Sequence, residues 1–230
     1  PQSRPRVFII AVQHGIDIPR NLTHGMATPT WHTPTLLRTY KSLPQQVHND
    51  WIWWDLGVAP VLKERALESF IKLEGVEWHT PEETNRIINM MAPAHLARLE
   101  KAKSANNIVV GSLYLRMRRE EGINRQRAEI TFSPILGCLR TPKGGASRSR
   151  IIVAGNGKVR TRFLSIHEAA ALMGLENTYA LPEAAYNAFK VIGDGVAVPP
   201  VRFLAERLLE PLTIAAREKP VIKSKKVCMG

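Results

Sequence analysis

Apolar and polar positions divide the chain into unlike stretches. Residues Val7–Val12 form one unbroken apolar run, too short for a helix, and read as a buried strand. Residues 13–47 are rich in Pro, Thr and His and read as an extended connector. Trp51, Trp53 and Trp54 mark a short aromatic strand or turn, and a first helix is predicted over Val61–Leu73. A second helix begins at Thr80, which caps it, with Pro81 at the first helical position and Glu83 completing a capping box. It breaks near Pro93 and resumes through His95–Ala102. Trp54, Leu62, Phe70, Ile71, Trp78, Ile87 and Met90 fall at helical or irregular spacings and read as a small hydrophobic core rather than a base-stacking platform.

Further along, strands are predicted over Asn107–Met117, Glu129–Phe132 and Ile151–Val153, with Pro142–Ser147 as a flexible loop. Gly155-Asn156-Gly157 suits a hairpin turn needing positive φ. Ser165 caps a helix, Glu168 sits three residues on, and Gly174 stops it. Gly193-Asp194-Gly195 reads as a loop, Val198–Leu209 as a final helix with Pro199 and Pro200 in its first turn, and 219–230 as a disordered tail. No internal repeat is visible.

With 230 residues the chain is long enough for a hydrophobic core without staples, and 44% hydrophobic with 23% charged residues is ordinary for a globular protein. No run approaches the ~18 apolar residues of a membrane span, so no membrane partner is expected. The apolar stretch after Arg4 and Arg6 lacks a small-residue cleavage site, so a strand is favoured over a signal peptide. The start at Pro1, without an initiator methionine, is read as a longer parent cut or an unseen start. Cys138 and Cys228 are too few for a disulfide framework, and the seven scattered histidines have no metal-type spacing. No metal is expected, and a reducing cytoplasm fits.

Charge changes the picture. The net charge is +12, and its distribution says more than its size. Arg116, Arg118, Arg119, Arg125, Arg127, Arg140, Lys143, Arg148, Arg150, Lys158, Arg160 and Arg162 crowd one window, against the acids Glu120, Glu121 and Glu129. No acid stands between Glu129 and Glu168. A solvated face mixes both signs, so this stretch points to nucleic acid.

Three segments, in order, resemble the last blocks of the DNA cytosine-5 methyltransferase family. PQSRPRVFII at 1–10 resembles the eighth block, a Gln-x-Arg-x-Arg before a strand. RTRFLSIHEAAALMGL at 160–175 resembles the ninth, and YNAFKVIGDGVAVPPV at 186–201 the tenth. The family places its target-recognition domain between the eighth and ninth blocks, where this chain has its basic stretch. GCLRTPKGGASRS at 137–149 looks like the Gly-rich recognition loop of a bacterial and phage branch.

The resemblance implies an α/β fold: the C-terminal fragment of a class I methyltransferase domain plus a mixed α+β target-recognition domain. It divides the chain into a catalytic-domain strand at 1–15, the recognition domain at 16–161, the ninth and tenth blocks returning to the catalytic domain at 162–212, and a tail at 213–230. Gln2, Arg4 and Arg6 match the eighth block, whose second arginine bonds the flipped cytosine while the first helps hold base and backbone. Gly193, Asp194 and Val196 fall beside the methyl donor, S-adenosylmethionine. Arg162, Leu164 and Glu168 match the ninth block, which organises the recognition domain. Arg140, Thr141, Lys143, Gly144, Gly145, Ser147, Arg148 and Arg150 are the implied DNA contacts.

Some positions depart from the pattern. Asp194 stands where the family has Asn, His167 and Ala171 where it has arginines, and Leu175-Glu176 where it has an aromatic and Pro. The Phe-x-Gly-x-Gly donor loop, the Pro-Cys nucleophile and the Glu-Asn-Val block are not in the sequence; Cys138 follows Gly137, and Glu176-Asn177-Thr178 lies after the ninth block. The implied enzyme flips a cytosine, attacks C6 with a cysteine and methylates C5. This chain is expected to be its DNA-recognition part, inactive alone, working on double-stranded DNA with an N-terminal half or a separate catalytic subunit, in a bacterial or phage restriction-modification setting. The alternative is a stand-alone DNA-binding module or phage regulator derived from a recognition domain.

Overall fold

The computed structural model describes residues 3–61, 66–139, 141 and 148–218. Gln2, Leu62, Arg140, the 142–147 loop and the 219–230 tail therefore lie outside the described residues. The chain is a mixed α/β protein with two antiparallel sheets. It divides into two compact units, Val7–Leu62 with Pro200–Gly230, and Pro1–Arg6 with Lys63–Pro199. This partition cuts across the expected recognition domain of 16–161, because Leu22 and Trp54 pack with Leu208 and Leu212 of the C-terminal segment.

In the first of these units the expected strand Val7–Val12 joins no ladder among the described residues. A strand exists only through its neighbour's hydrogen bonds, and these residues make no ladder bond among the described residues; Val7 is 71% and Ile9 90% exposed. The expected connector is partly folded. β1 (Thr23–His24) pairs antiparallel with β2 (Trp53–Trp54), and two short helices lie between them, α1 (Pro34–Lys41) and α2 (Gln45–Asn49). Thr33 caps α1 by accepting from the Leu36 N–H, and Pro34 supplies the preset φ of the first turn.

In the other unit, Leu67–Phe70 is a 3-10 turn, so the helix expected through Leu73 is not formed over 66–73. α3 (Pro81–Asn89) carries both bonds of the Thr80–Glu83 capping box, and α4 (Pro93–Lys103) follows. The sheet then runs β3 (Val109–Glu120), β4 (Ile123–Thr131), β5 (Arg150–Gly155) and β6 (Lys158–Phe163), in spatial order β4-β3-β5-β6. Strand alternation sends Leu113, Ile130 and Ile152 to one face, under Ile87, Leu99 and Ala102 of α3 and α4. Val110, Ile151 and Val153 go to the other, under α5 (Ile166–Leu172) and α6 (Ala185–Asp194). Asn156 (φ 52) and Gly157 (φ 74) make the expected hairpin turn. Ser165 and Glu168 form a second complete capping box, and Gly174 (φ 77) ends the helix.

Gly193 and Asp194 close the last turn of α6 instead of forming a loop. The final helix continues past Leu209: α7 (Val198–Leu204) passes through a π-helical turn at Ala205–Leu209 into α8 (Glu210–Glu218). The apolar residues expected to share one core do not. Phe70, Ile71 and Trp78 join the α5–α6 side, Ile87 and Met90 the α3–α4 side, and Trp54 the cluster around Leu22.

Candidate nucleic-acid interface

The described ends of the 137–150 loop are both held by other parts of the chain. At its N-terminal end, the Ser3 N–H donates to the Leu136 carbonyl at 2.8 Å. The Arg4 guanidinium then reaches the Leu139 carbonyl at 2.7 Å through Nη1 and the Gly193 carbonyl at 2.7 Å through Nη2. The same Nη1 lies 3.4 Å from the Cys138 sulfur. Two residues on, the Thr141 hydroxyl donates to the Asp194 carboxylate. The eighth-block-like segment, the entry to the basic loop and the end of α6 therefore meet at one point. A planar guanidinium suits this task, since its fixed fork can satisfy two carbonyls at once.

At the far end, Arg148 and Arg150 stack on aromatic rings. Arg148 lies 4.4 Å from the Phe163 centroid and 5.0 Å from that of Phe189; Arg150 lies 4.4 Å from Phe163. Burial draws both guanidinium pKa values down, yet arginine stays a cation in proteins. Arg150 is only 8% exposed and donates to the Arg148 carbonyl, so it packs against the sheet rather than projecting toward a groove. Of the expected DNA contacts that are described, Arg150 is the buried one, while Thr141 and Arg148 remain partly accessible. Arg140, Lys143, Gly144, Gly145 and Ser147 lie outside the described residues.

Arg6 differs from Arg4. It is exposed and donates to the carbonyl of its neighbour Pro5 at 2.8 Å. Val196 is 43% exposed and Asp194 is exposed, whereas Gly193 is buried with its carbonyl taken by Arg4.

Beneath the interface lies the ninth-block-like segment. Arg162 and Glu168, 2% and 3% exposed, form a two-pronged ion pair at 2.8 and 2.6 Å. Arg162 also donates to the Lys72 carbonyl, and Glu168 accepts from the backbone N–H groups of Lys72 and Ser165. Burial alone would raise the Glu168 pKa; the bonds from Arg162, Ser165 and Lys72 outweigh it and hold it below 4.5. The part played by Lys72 was invisible in the sequence, because it comes from a segment some ninety residues away.

Among the described residues, no group of three or more His, Cys, Asp or Glu side chains is placed to hold a metal ion. Nor is any described helix long and apolar enough to cross a membrane. The family model for C-5 cytosine-specific DNA methylases matches residues 1–210. No curated protein and no solved structure matches the chain.

Proposed function

Since the chain belongs to the C-5 cytosine-specific DNA methylase family, we propose that it is the DNA-recognition part of a cytosine-5 methyltransferase. It works when joined, on one polypeptide or as a subunit, to a segment carrying the Pro-Cys nucleophile, the donor loop and the Glu-Asn-Val block. One observation carries the reading. Arg4 bridges the Leu139 and Gly193 carbonyls, so the segments that resemble the eighth and tenth blocks converge where the basic loop begins. That convergence would hold a DNA-reading loop against the place where the flipped base is handled.

In this reading the two arginines split the work. Arg4 is committed to backbone carbonyls and positions the loop; Arg6, exposed, donates to the flipped cytosine and steadies the charge that builds as C6 is attacked. S-adenosylmethionine, when bound, supplies the methyl group. The residues here fit one rim of its site: Asp194 is exposed and offers a carboxylate to an ammonium or ribose hydroxyl, and Val196 offers apolar surface. The exposed apolar run Val7–Ile9 supports a joined partner, because apolar surface of this kind is covered on association.

The test is transfer of a radiolabelled methyl group into duplex DNA. The chain alone should give none, and the chain mixed with a polypeptide bearing the missing blocks should methylate C5. Transfer by the chain alone would overturn the reading. Duplex binding with no transfer in any such mixture would favour the stand-alone module.

A further inference from the structure

β3 and β4 run well past the sheet that contains their bases. The pairing of β3 with β5 ends at Leu113, opposite Arg150, and from Tyr114 to Glu120 the partner of β3 is β4 alone. Seven residues of strand carry this arm roughly 20 Å outward. It closes on a tight turn with Glu121 at φ 50 and Gly122 at φ 82, the two positive angles of a type I′ hairpin. From Arg116 to Gln126 every residue except Glu120 is exposed. Among the described residues the outer edge of β4 is covered only near its base, where the N–H groups of Ala128 and Ile130 meet Met90 and His95.

Leu115 and Ala128 at its base pack into the α3–α4 core, but from Arg116 to Gln126 the arm joins no core cluster among the described residues, and a two-stranded ribbon adds little stability of its own. Its register even carries a cost: Arg116 faces Arg127 and Arg118 faces Arg125, and like charges directly opposite are destabilising. Glu129 bridges Arg116 and Arg118, and Glu120 binds Arg127, which holds that face together.

The other face is chemically different. Met117 stands opposite Gln126, and Arg119 opposite Asn124; all four are exposed, and no acid shares the face. Arg119, Asn124 and Gln126 have no ion-pair or hydrogen-bond partner among the described side chains. Arginine, asparagine and glutamine are the side chains whose paired donors and acceptors match guanine and adenine edges, and a methionine suits the thymine methyl. The major groove, about 12 Å wide, admits a two-stranded ribbon whose strands lie about 4.8 Å apart.

We propose that the β3–β4 ribbon enters the major groove of duplex DNA with the Met117–Arg119–Asn124–Gln126 face on the base edges, and so sets part of the recognition sequence. The opposite face, with Arg116, Arg118, Arg125 and Arg127, then turns away from the base edges. This rests on the reading that the chain binds duplex DNA, and it adds a reading element separate from the 137–150 loop.

The experiment selects duplexes from a randomised pool with the full chain, then repeats the selection with the combined Arg119→Ala, Asn124→Ala and Gln126→Ala variant. Gln126→Ala alone serves as a second variant that leaves charge unchanged, and exposed substitutions of this kind rarely disturb folding. The triple variant should lose preference at two or three base positions, by between about 5- and 150-fold each. The single variant should lose it at one. An unchanged enriched sequence in both variants overturns the ribbon and leaves DNA binding standing, as does a wild-type chain that binds duplexes without preference. A wild-type chain that binds no duplex overturns the ribbon and the underlying reading together.

Discussion

Arg4 and Arg6 lie two residues apart, match the same short motif, and do different things. Arg4 gives its fork to the carbonyls of Leu139 and Gly193. Arg4→Ala should therefore cost about 1.5–3 kcal/mol of stability, the range for bonds with a charged donor, and chemical denaturation should show it. Among the described residues Arg6 bonds only the neighbouring Pro5 carbonyl, so Arg6→Ala should leave the denaturation midpoint in place. In an enzyme completed with the missing blocks, Arg6→Ala should keep site selectivity and lose turnover. Unchanged turnover would take Arg6 out of the site. Glu168 is the other residue on which much depends. Removing its carboxylate leaves Arg162 buried without its counter-charge, and Glu168→Ala should cost about 3–5 kcal/mol. Its folded pKa lies below 4.5, so its contribution is complete above that pH and is lost as pH falls through the lower folded value. Wild type should thus lose stability on acidification below about 4.5, and Glu168→Gln should show a shallower loss there.

At the scale of elements, local signals were legible and partnered ones were not. Both capping boxes, at Thr80–Glu83 and Ser165–Glu168, formed as the spacing predicts, because a cap is decided within four residues. Gly174 stopped α5 for the same reason. Its φ of +77 already disfavours a side chain, and an added Cβ would sit 2.5 Å from Cδ of Pro199. Gly174→Ala should cost at least about 1–2 kcal/mol, whereas Gly157→Asn, in open space at a turn that accepts asparagine, should cost little. Thermal melting of the two variants separates them. The Val7–Val12 run failed as a strand because apolar composition does not supply a neighbour. The ribbon was missed in the opposite way: its Arg-rich tip reads as solvated surface, and only the register Arg119↔Asn124 and Met117↔Gln126 sorts its side chains into two faces. The chemistry of the site was legible as residue types in order. What held them together, Arg4 to Gly193 and Thr141 to Asp194, was not, since those partners are 189 and 53 residues apart.

For the molecule as a whole, the excess of positive charge is the property that DNA would meet first. Arginines with structural duties, such as Arg4, Arg150 and Arg162, spend their charge inside the fold; those on the ribbon from Arg116 to Arg125 remain at the surface. Binding carried by these cations must release counterions, so its strength must fall with salt. The central claim, that this chain is the part of a cytosine-5 methyltransferase that holds DNA, is tested most directly by titrating duplex DNA at rising salt. If about six phosphates are neutralised, affinity should fall by a factor on the order of 10³ between roughly 50 and 200 mM salt. Affinity that is absent at low salt, or that stays flat across that range, would contradict the account.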